Sequence, residues 1–244
     1  MLKWSGALAA LALMACATTP ATSGPTPAEQ GARLMAQMKA ASGGAKLDAL
    51  TTYHGTGAAL RDGRIDGASE DWGDFRTMAF TTVETFGGVT TSGGFDGKTA
   101  WGRGPDGVVR IASTPEAIAG AKLNAYLNTQ AYFWPDRHPA TFEYKGRQEA
   151  DGKTYDVVAV TPEGTYPITL WLDPGTHLLT RLTGTNGRST FTGVINAHRV
   201  VDGITIMESG LQTMVAGPET HTESFTRRAF SFEPVPPEKL APPR

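Results

Sequence analysis

Residues 141–161 read TFEYKGRQEADGKTYDVVAVT, and this stretch sets the fold class. Asp151-Gly152 suits the two positive-φ positions of a tight hairpin turn. On either side lie runs rich in Val, Thr and aromatics, near 141–149 and 153–161. In the second run Tyr155, Val157 and Ala159 alternate with their neighbours at the period of a strand. The unit is an antiparallel hairpin.

The same unit recurs in both directions. Asp-Gly also stands at 62, 66, 96, 106 and 202, and Asn186-Gly187 adds a related pair. Between these signals the sequence predicts strands near 51–60, 64–72, 77–86, 89–95, 98–103 and 108–112. A second set lies near 141–149, 153–161, 166–173, 178–184, 189–200, 204–215 and 221–232. Ile168, Leu170 and Leu172 give a second clear alternation. Short strands at regular spacing predict an antiparallel meander, hence a sandwich, a barrel or a strongly curved sheet. Gly makes up 29 of 244 residues, which matches a chain with many tight turns.

Two stretches break the rhythm. Thr26-Pro27-Ala28-Glu29 predicts a helix start, with Thr26 as N-cap, Pro27 in the first position and Glu29 three residues on. Leu34, Met35 and Met38 form its apolar stripe, Ser42-Gly43-Gly44 ends it, and Lys46 to Leu50 adds one more turn. Thr114-Pro115-Glu116 starts another helix, running to about Asn128, with Ile118, Leu123, Tyr126 and Leu127 apolar. It leads into Ala131-Tyr132-Phe133-Trp134-Pro135, the most aromatic segment of the chain. Pro234 to Arg244 holds five prolines and is expected to be extended and mobile.

Composition bounds the function. Hydrophobic residues are 40% and charged residues 19% of the chain, enough apolar material for a sizeable core. With 22 Lys+Arg against 24 Asp+Glu there is no basic footprint for nucleic acid. Gly97-Lys98-Thr99 and Gly152-Lys153-Thr154 resemble the end of a phosphate loop. Each lacks the preceding glycine and sits on a hairpin, which cannot present a helix N-terminus to a phosphate, so no nucleotide is expected. No serine lies in Gly-x-Ser-x-Gly. The histidines (His54, His138, His177, His198, His221) show no metal-ligand spacing. No Asp is followed by Thr-Gly or Ser-Gly, as an aspartic protease requires. Asp71 and Asp74, flanking Trp72, read as a solvated strand end. Neither a catalytic residue, a metal nor a cofactor is expected.

The single cysteine is Cys16. Lys3 gives the N-terminus a positive charge, and Ala7 to Ala15 is an apolar run too short to span a bilayer, as in a signal peptide. Leu13-Met14-Ala15-Cys16 resembles the bacterial lipobox, which implies cleavage after residue 15 and lipidation of Cys16. Residues 16–26 then form a flexible tether rich in Thr, Pro, Ser and Gly. Ala17 after the cysteine implies, by the same resemblance, the outer membrane with the domain facing the periplasm. The expected layout is a signal peptide 1–15, a tether 16–26, one domain 27–233 and a Pro-rich tail 234–244.

Several segments together resemble a known superfamily. They are Gly43-Gly44 to Leu50, Gly94-Phe95-Asp96-Gly97-Lys98-Thr99-Ala100-Trp101, and the helix ending Tyr126-Leu127 with Tyr132-Phe133-Trp134-Pro135. Tyr155-Asp156-Val157, Leu170-Trp171-Leu172-Asp173-Pro174 and Thr176-His177-Leu178-Leu179 complete the set. Over about residues 40 to 215 the chain resembles the LolA/LolB-like lipoprotein carriers and receptors. It is most similar to the domain preceding the catalytic part of some bacterial retropepsin-like aspartyl proteases. The protease part has no counterpart here, so its activity is not carried over. The resemblance implies a mainly β (α+β) fold, a curved antiparallel half-barrel of about 11–13 strands closed by two or three helices.

In carriers of that type the concave face holds acyl chains. The expected function is therefore a lipid-anchored cell-envelope protein that binds an apolar ligand, a lipid or a lipoprotein acyl chain. Candidate cavity residues are Trp101, Tyr126, Tyr132, Phe133, Trp134 and Trp171. The same aromatics also suit a filled core where helix meets sheet. That alternative makes the chain a noncatalytic protein-interaction module of the envelope, or an orphaned noncatalytic domain of an aspartyl-protease family.

Overall fold

The computed structural model describes residues 24–243. The expected signal peptide, Cys16 and most of the expected tether lie outside the described residues. Thirteen strands form one antiparallel sheet that curves without closing. They are β1 (Thr52–Arg61), β2 (Ile65–Asp74), β3 (Phe80–Phe86), β4 (Val89–Phe95), β5 (Ala100–Arg103) and β6 (Val109–Ile111), then β7 (Ala140–Ala150) and β8 (Lys153–Pro162). The last five are β9 (Ile168–Leu172), β10 (Leu179–Thr185), β11 (Thr190–Val201), β12 (Ile204–Ala216) and β13 (Glu219–Ser231). Every strand expected from the turn signals is present. Three helices accompany them: α1 (Pro27–Ser42), α2 (Ala45–Asp48) and α3 (Pro115–Asn128). The half-barrel expectation holds.

The hairpin chemistry is visible at Asp62-Gly63, Asp151-Gly152 and Asp202-Gly203, where both residues of each pair have positive φ. Asp66-Gly67 departs from expectation. It lies inside β2, and the ring of Phe86, its direct partner on β3, covers Gly67. Gly73 lies under the Tyr53 ring, Gly210 under Phe225 and Gly184 under Phe191. The glycine surplus thus serves close approach as well as turns. A large ring over a glycine fills a curved sheet face that two full side chains would overcrowd.

The strand order is β6-β5-β4-β3-β2-β1-β13-β12-β11-β10-β9-β8-β7. The first and last strands pair in the middle, and the two edges, β6 and β7, come from mid-chain. Residues 112–139, with α3 and a 3-10 turn at Ala131–Phe133, link one edge to the other. Both edges are blunted against further pairing. β6 has three residues, and α1 crosses β7 so closely that a β-carbon on Gly31 would stand 2.9 Å from the Glu143 backbone nitrogen.

The inner face carries the core. Val158 pairs with Leu170 and Val160 with Ile168, and all four are fully buried. They meet Leu34, Met35 and Met38 of α1 and Leu123 and Tyr126 of α3. The capping box at Thr26 forms as the sequence predicts: Thr26 accepts from the Glu29 amide and Glu29 accepts from the Thr26 amide. Burying each of these aliphatic side chains contributes about 1.5–3 kcal/mol. The two alternating triplets end on opposite faces, because Val157 pairs with Trp171 on the outside.

The tail differs from its expectation. Pro237–Leu240 forms a 3-10 turn on the outer face, and Leu240 packs against Trp72 and Ala79. Thr52 Oγ1 accepts from the Val235 amide, and Lys239 lies over the Trp72 ring. Proline limits the entropy lost on docking, so five prolines do not prevent a fixed path.

Candidate ligand-binding interior

The open side of the half-barrel is stopped by an aromatic plug. Tyr126 on α3 and Tyr132, Phe133 and Trp134 on the following turn are all buried in the main core. Their rings meet edge to face, Tyr126 with Tyr132 at 6.1 Å, Tyr132 with Phe133 at 4.8 Å and Phe133 with Trp134 at 6.1 Å. Such edge contacts add about 0.5–1.5 kcal/mol per pair beyond area burial. Phe75 continues the stack from Trp134 at 5.4 Å towards Tyr53 at 5.5 Å.

A few polar contacts hold the plug. Trp134 Nε1 donates to Asp48 Oδ1 (2.9 Å), and Lys39 Nζ donates to the same oxygen. The Lys39 contact holds the Asp48 carboxyl below its ordinary value. Downstream, Arg137 Nη1 and His138 Nε2 meet the Phe75 carbonyl at 3.2 and 3.0 Å. Burial pushes His138 down, so the ring is neutral and its Nε2–H is the donor.

Little space is left inside. The void beside the plug is about 20 Å³, with Met38, Tyr132, Phe133, Leu179, His198 and Met207 in its wall. A volume of that size suits about one water, whereas ligand pockets usually run to several hundred Å³. A second depression, at Pro115, Glu116 and Tyr166, is shallow and wide open. The inner face nevertheless contains two buried phenols, Tyr53 and Tyr126, whose hydroxyls find no partner among the described residues. Burial raises both hydroxyls above the ordinary tyrosine value.

The six aromatic candidates divide by face. Tyr126, Tyr132, Phe133 and Trp134 gather in the plug. Trp101 pairs with Gly94 while its neighbour Ala100 joins Phe80 and Phe95 against α3, so Trp101 points outward. Trp171 also faces outward, edge-on to Tyr155 at 5.7 Å and beneath the Arg181 guanidinium. The sequence shows both tryptophans in strands, but the parity of each strand depends on its pairing register.

Asp71 also departs from its expectation. It is not a solvated strand end: it is 8% exposed, on the inner face, and Arg227 Nη1 donates to both its oxygens at 3.0 and 3.1 Å. Asp74 does end the strand, accepting from the Arg76 and Thr77 amides. The histidines are scattered, His54 stacked on Trp72 outside and His221 beside Asp62 at a hairpin. Among the described residues no three His, Cys, Asp or Glu side chains gather to hold a metal ion. No helix among them is long and apolar enough to cross a membrane.

Solved structures with this sheet exist. A LolA superfamily protein from Nitrosomonas europaea matches with a TM-score of 0.57 at 10% identity, over 87% of this chain and 97% of that one. The fold is LolA-like. A putative outer membrane lipoprotein-sorting protein domain from Vibrio parahaemolyticus matches at 0.54 and 10% identity, over 84% and 92% of the two chains. A DUF1329 family protein from Desulfovibrio piger matches at 0.53 and 14% identity, over 84% and 93%. No protein-family model and no curated protein matches the sequence. At these identities the likeness is one of architecture.

Proposed function

We propose that this chain is a lipid-anchored cell-envelope protein, held at the outer membrane through Cys16, that takes an acyl chain into its half-barrel when the aromatic plug lifts. The observation that carries the reading is the construction of the interior. The apolar inner face is covered by helices and one mid-chain aromatic segment, and not by a second sheet. That segment is tied down by contacts at Asp48 and Phe75 and has a void beside it. Acyl binding requires the Tyr132-Phe133-Trp134 turn to yield its place, and each buried methylene then contributes about 0.8 kcal/mol. The lipoprotein-sorting and LolA neighbours support this reading at the level of architecture. No step of chemistry is involved, and the buried phenols and carboxylates have structural or recognition roles.

The test is the lipid content of the domain from residue 26 onward, which holds every strand, helix and core residue described above. The domain is extracted with organic solvent after purification from cells, beside an unrelated periplasmic protein. A stoichiometric lipid absent from the control is the expected result. A stable, cooperatively melting domain with no lipid, before and after incubation with fatty acid, refutes the reading. The filled interior would then favour the second one, an envelope module that meets a protein partner on its outside.

A further inference from the structure

The inner face has a second part that no helix covers. α1 lies on β7, β8 and β12, and α3 on β4 and β5. Beyond Phe80, which packs under α3, the inner surface of β1, β2, β3 and β13 forms a trough where charged side chains stand among aromatic rings. One cross-strand row runs Glu84, Ser69, Gly57, Arg227. Gly57 has no side chain and Ser69 a short one, so nothing tall stands in the row between Arg227, which leans over Gly55 to Asp71, and Glu84, which meets Arg61; their strands are three spacings apart, about 14 Å.

The two ends of the row differ in chemistry. Arg227 spends Nη1 on Asp71, and its other N–H groups make no hydrogen bond among the described residues. The Tyr53 hydroxyl, on a side chain only 2% exposed, also lacks a partner and lies within the field of Asp71 and Arg227. These are donors without acceptors. At the other end Arg61 bridges Glu84 at 3.5 Å and Glu223 at 2.9 Å, leaving two carboxylates for one guanidinium. Burial and Glu223 together raise Glu84 above its ordinary value, as expected of a carboxylate in need of a further cation. Phe86, Phe225 and Phe230 supply apolar floor between the polar groups.

We propose that this trough binds the zwitterionic head of an amino-phospholipid, with the phosphate on the free donors of Arg227 and Tyr53 and the primary ammonium on Glu84 and Glu223. The proposal rests on the acyl-binding reading above and names the ligand class for it. Charge decides against the simpler heads. Two arginines and three carboxylates leave an excess negative charge in the trough, so a purely anionic head meets repulsion at Glu84 and Glu223. A neutral glycerol head brings no anion to the remaining N–H groups of Arg227. Tyr53 and Phe230, stacked at 5.3 Å, stand at the boundary between trough and plugged core. A head in the trough therefore places its acyl chains at the Tyr53–Phe75–Trp134 stack.

The experiment uses the full lipidated chain, extracted from membranes in mild detergent. An equimolar mixture of dipalmitoyl phosphatidylethanolamine, phosphatidylglycerol and diacylglycerol is added, and bound lipids are counted by native mass spectrometry. The expected result is at least tenfold enrichment of phosphatidylethanolamine over diacylglycerol and at least fivefold over phosphatidylglycerol. Glu84→Gln should erase the preference over phosphatidylglycerol. Asp71→Asn combined with Arg227→Gln, which leaves no lone buried charge, should reduce phosphatidylethanolamine to the diacylglycerol level. Trp171→Phe, on the outer face, should change nothing. Equal retention of the three lipids, or a preference that survives both sets of variants, overturns the head-group assignment and leaves acyl binding standing. Retention of none of them overturns the acyl-binding reading itself and the assignment with it. A cooperative melt of each variant separates loss of preference from loss of fold.

Discussion

Replacing Phe133 by Ala tests the plug directly. Phe133 is buried at the centre of the aromatic turn and borders the 20 Å³ void. Phe→Ala in a packed core costs about 3–5 kcal/mol, and the space it opens joins the existing void. In a chain of this size about 1 kcal/mol shifts the midpoint by roughly 2–4 °C, so the melting temperature should fall by about 6–20 °C. The same loss acts on the balance between closed and open plug, because Phe133 makes its contacts only in the closed state. A shift of about 3 kcal/mol towards the binding-competent state raises apparent affinity by roughly a hundredfold. Titration with a fluorescent fatty acid such as cis-parinaric acid reads that change, and calorimetry reads the midpoint. A midpoint that falls as expected with affinity unchanged would refute the reasoning. The turn would then be fixed core, out of the ligand's way.

Two further outcomes follow from the packing. Gly73→Ala drives a β-carbon into the Tyr53 ring, which is held by Phe75 and Phe230, and overpacking of this kind should cost about 1–3 kcal/mol on a denaturant titration; an unchanged midpoint would mean that the ring moves freely. Burial depresses both His138 and His198, whose Nε2 atoms meet the carbonyls of Phe75 and Leu179. The stability from these neutral rings is complete above the ordinary histidine value of 6.5 and is lost as pH falls through the lower folded values. Asp71 and Glu84, both raised by burial, act in the opposite sense and gain protons as pH falls through the carboxylate range. Between pH 7 and 5.5 the histidines should dominate, and His138→Gln with His198→Gln should flatten the fall in melting temperature; an equal fall in the variant would place its cause elsewhere.

Much of the architecture can be read locally. The thirteen strands, the capped helix from Pro27 and the helix from Pro115 each depend on neighbours in sequence. Turn pairs such as Asp151-Gly152, the Thr26–Glu29 capping box and period-two alternation act within a few residues, so a linear reading captures them. The aromatic plug is legible as a cluster for the same reason. Its role as stopper of an unclosed sheet is not, because that depends on which strands form the edges.

The sequence by itself determined a mainly β chain, its hairpins and its helix starts, with Cys16 and Tyr132-Phe133-Trp134 as the segments of interest. Tertiary structure decided the rest. Pairing of β1 with β13 put the edges in mid-chain and made residues 112–139 the crossing segment. Register sent Trp101 and Trp171 outward and brought Asp71 inward to Arg227, 156 residues away along the chain. It also put Phe86 over Gly67, turning an apparent turn signal into a packing site. The physical reason is the same in each case. A strand's alternation is fixed by its own residues, but the face each parity takes, and the partner it meets there, are fixed only when distant strands choose their register.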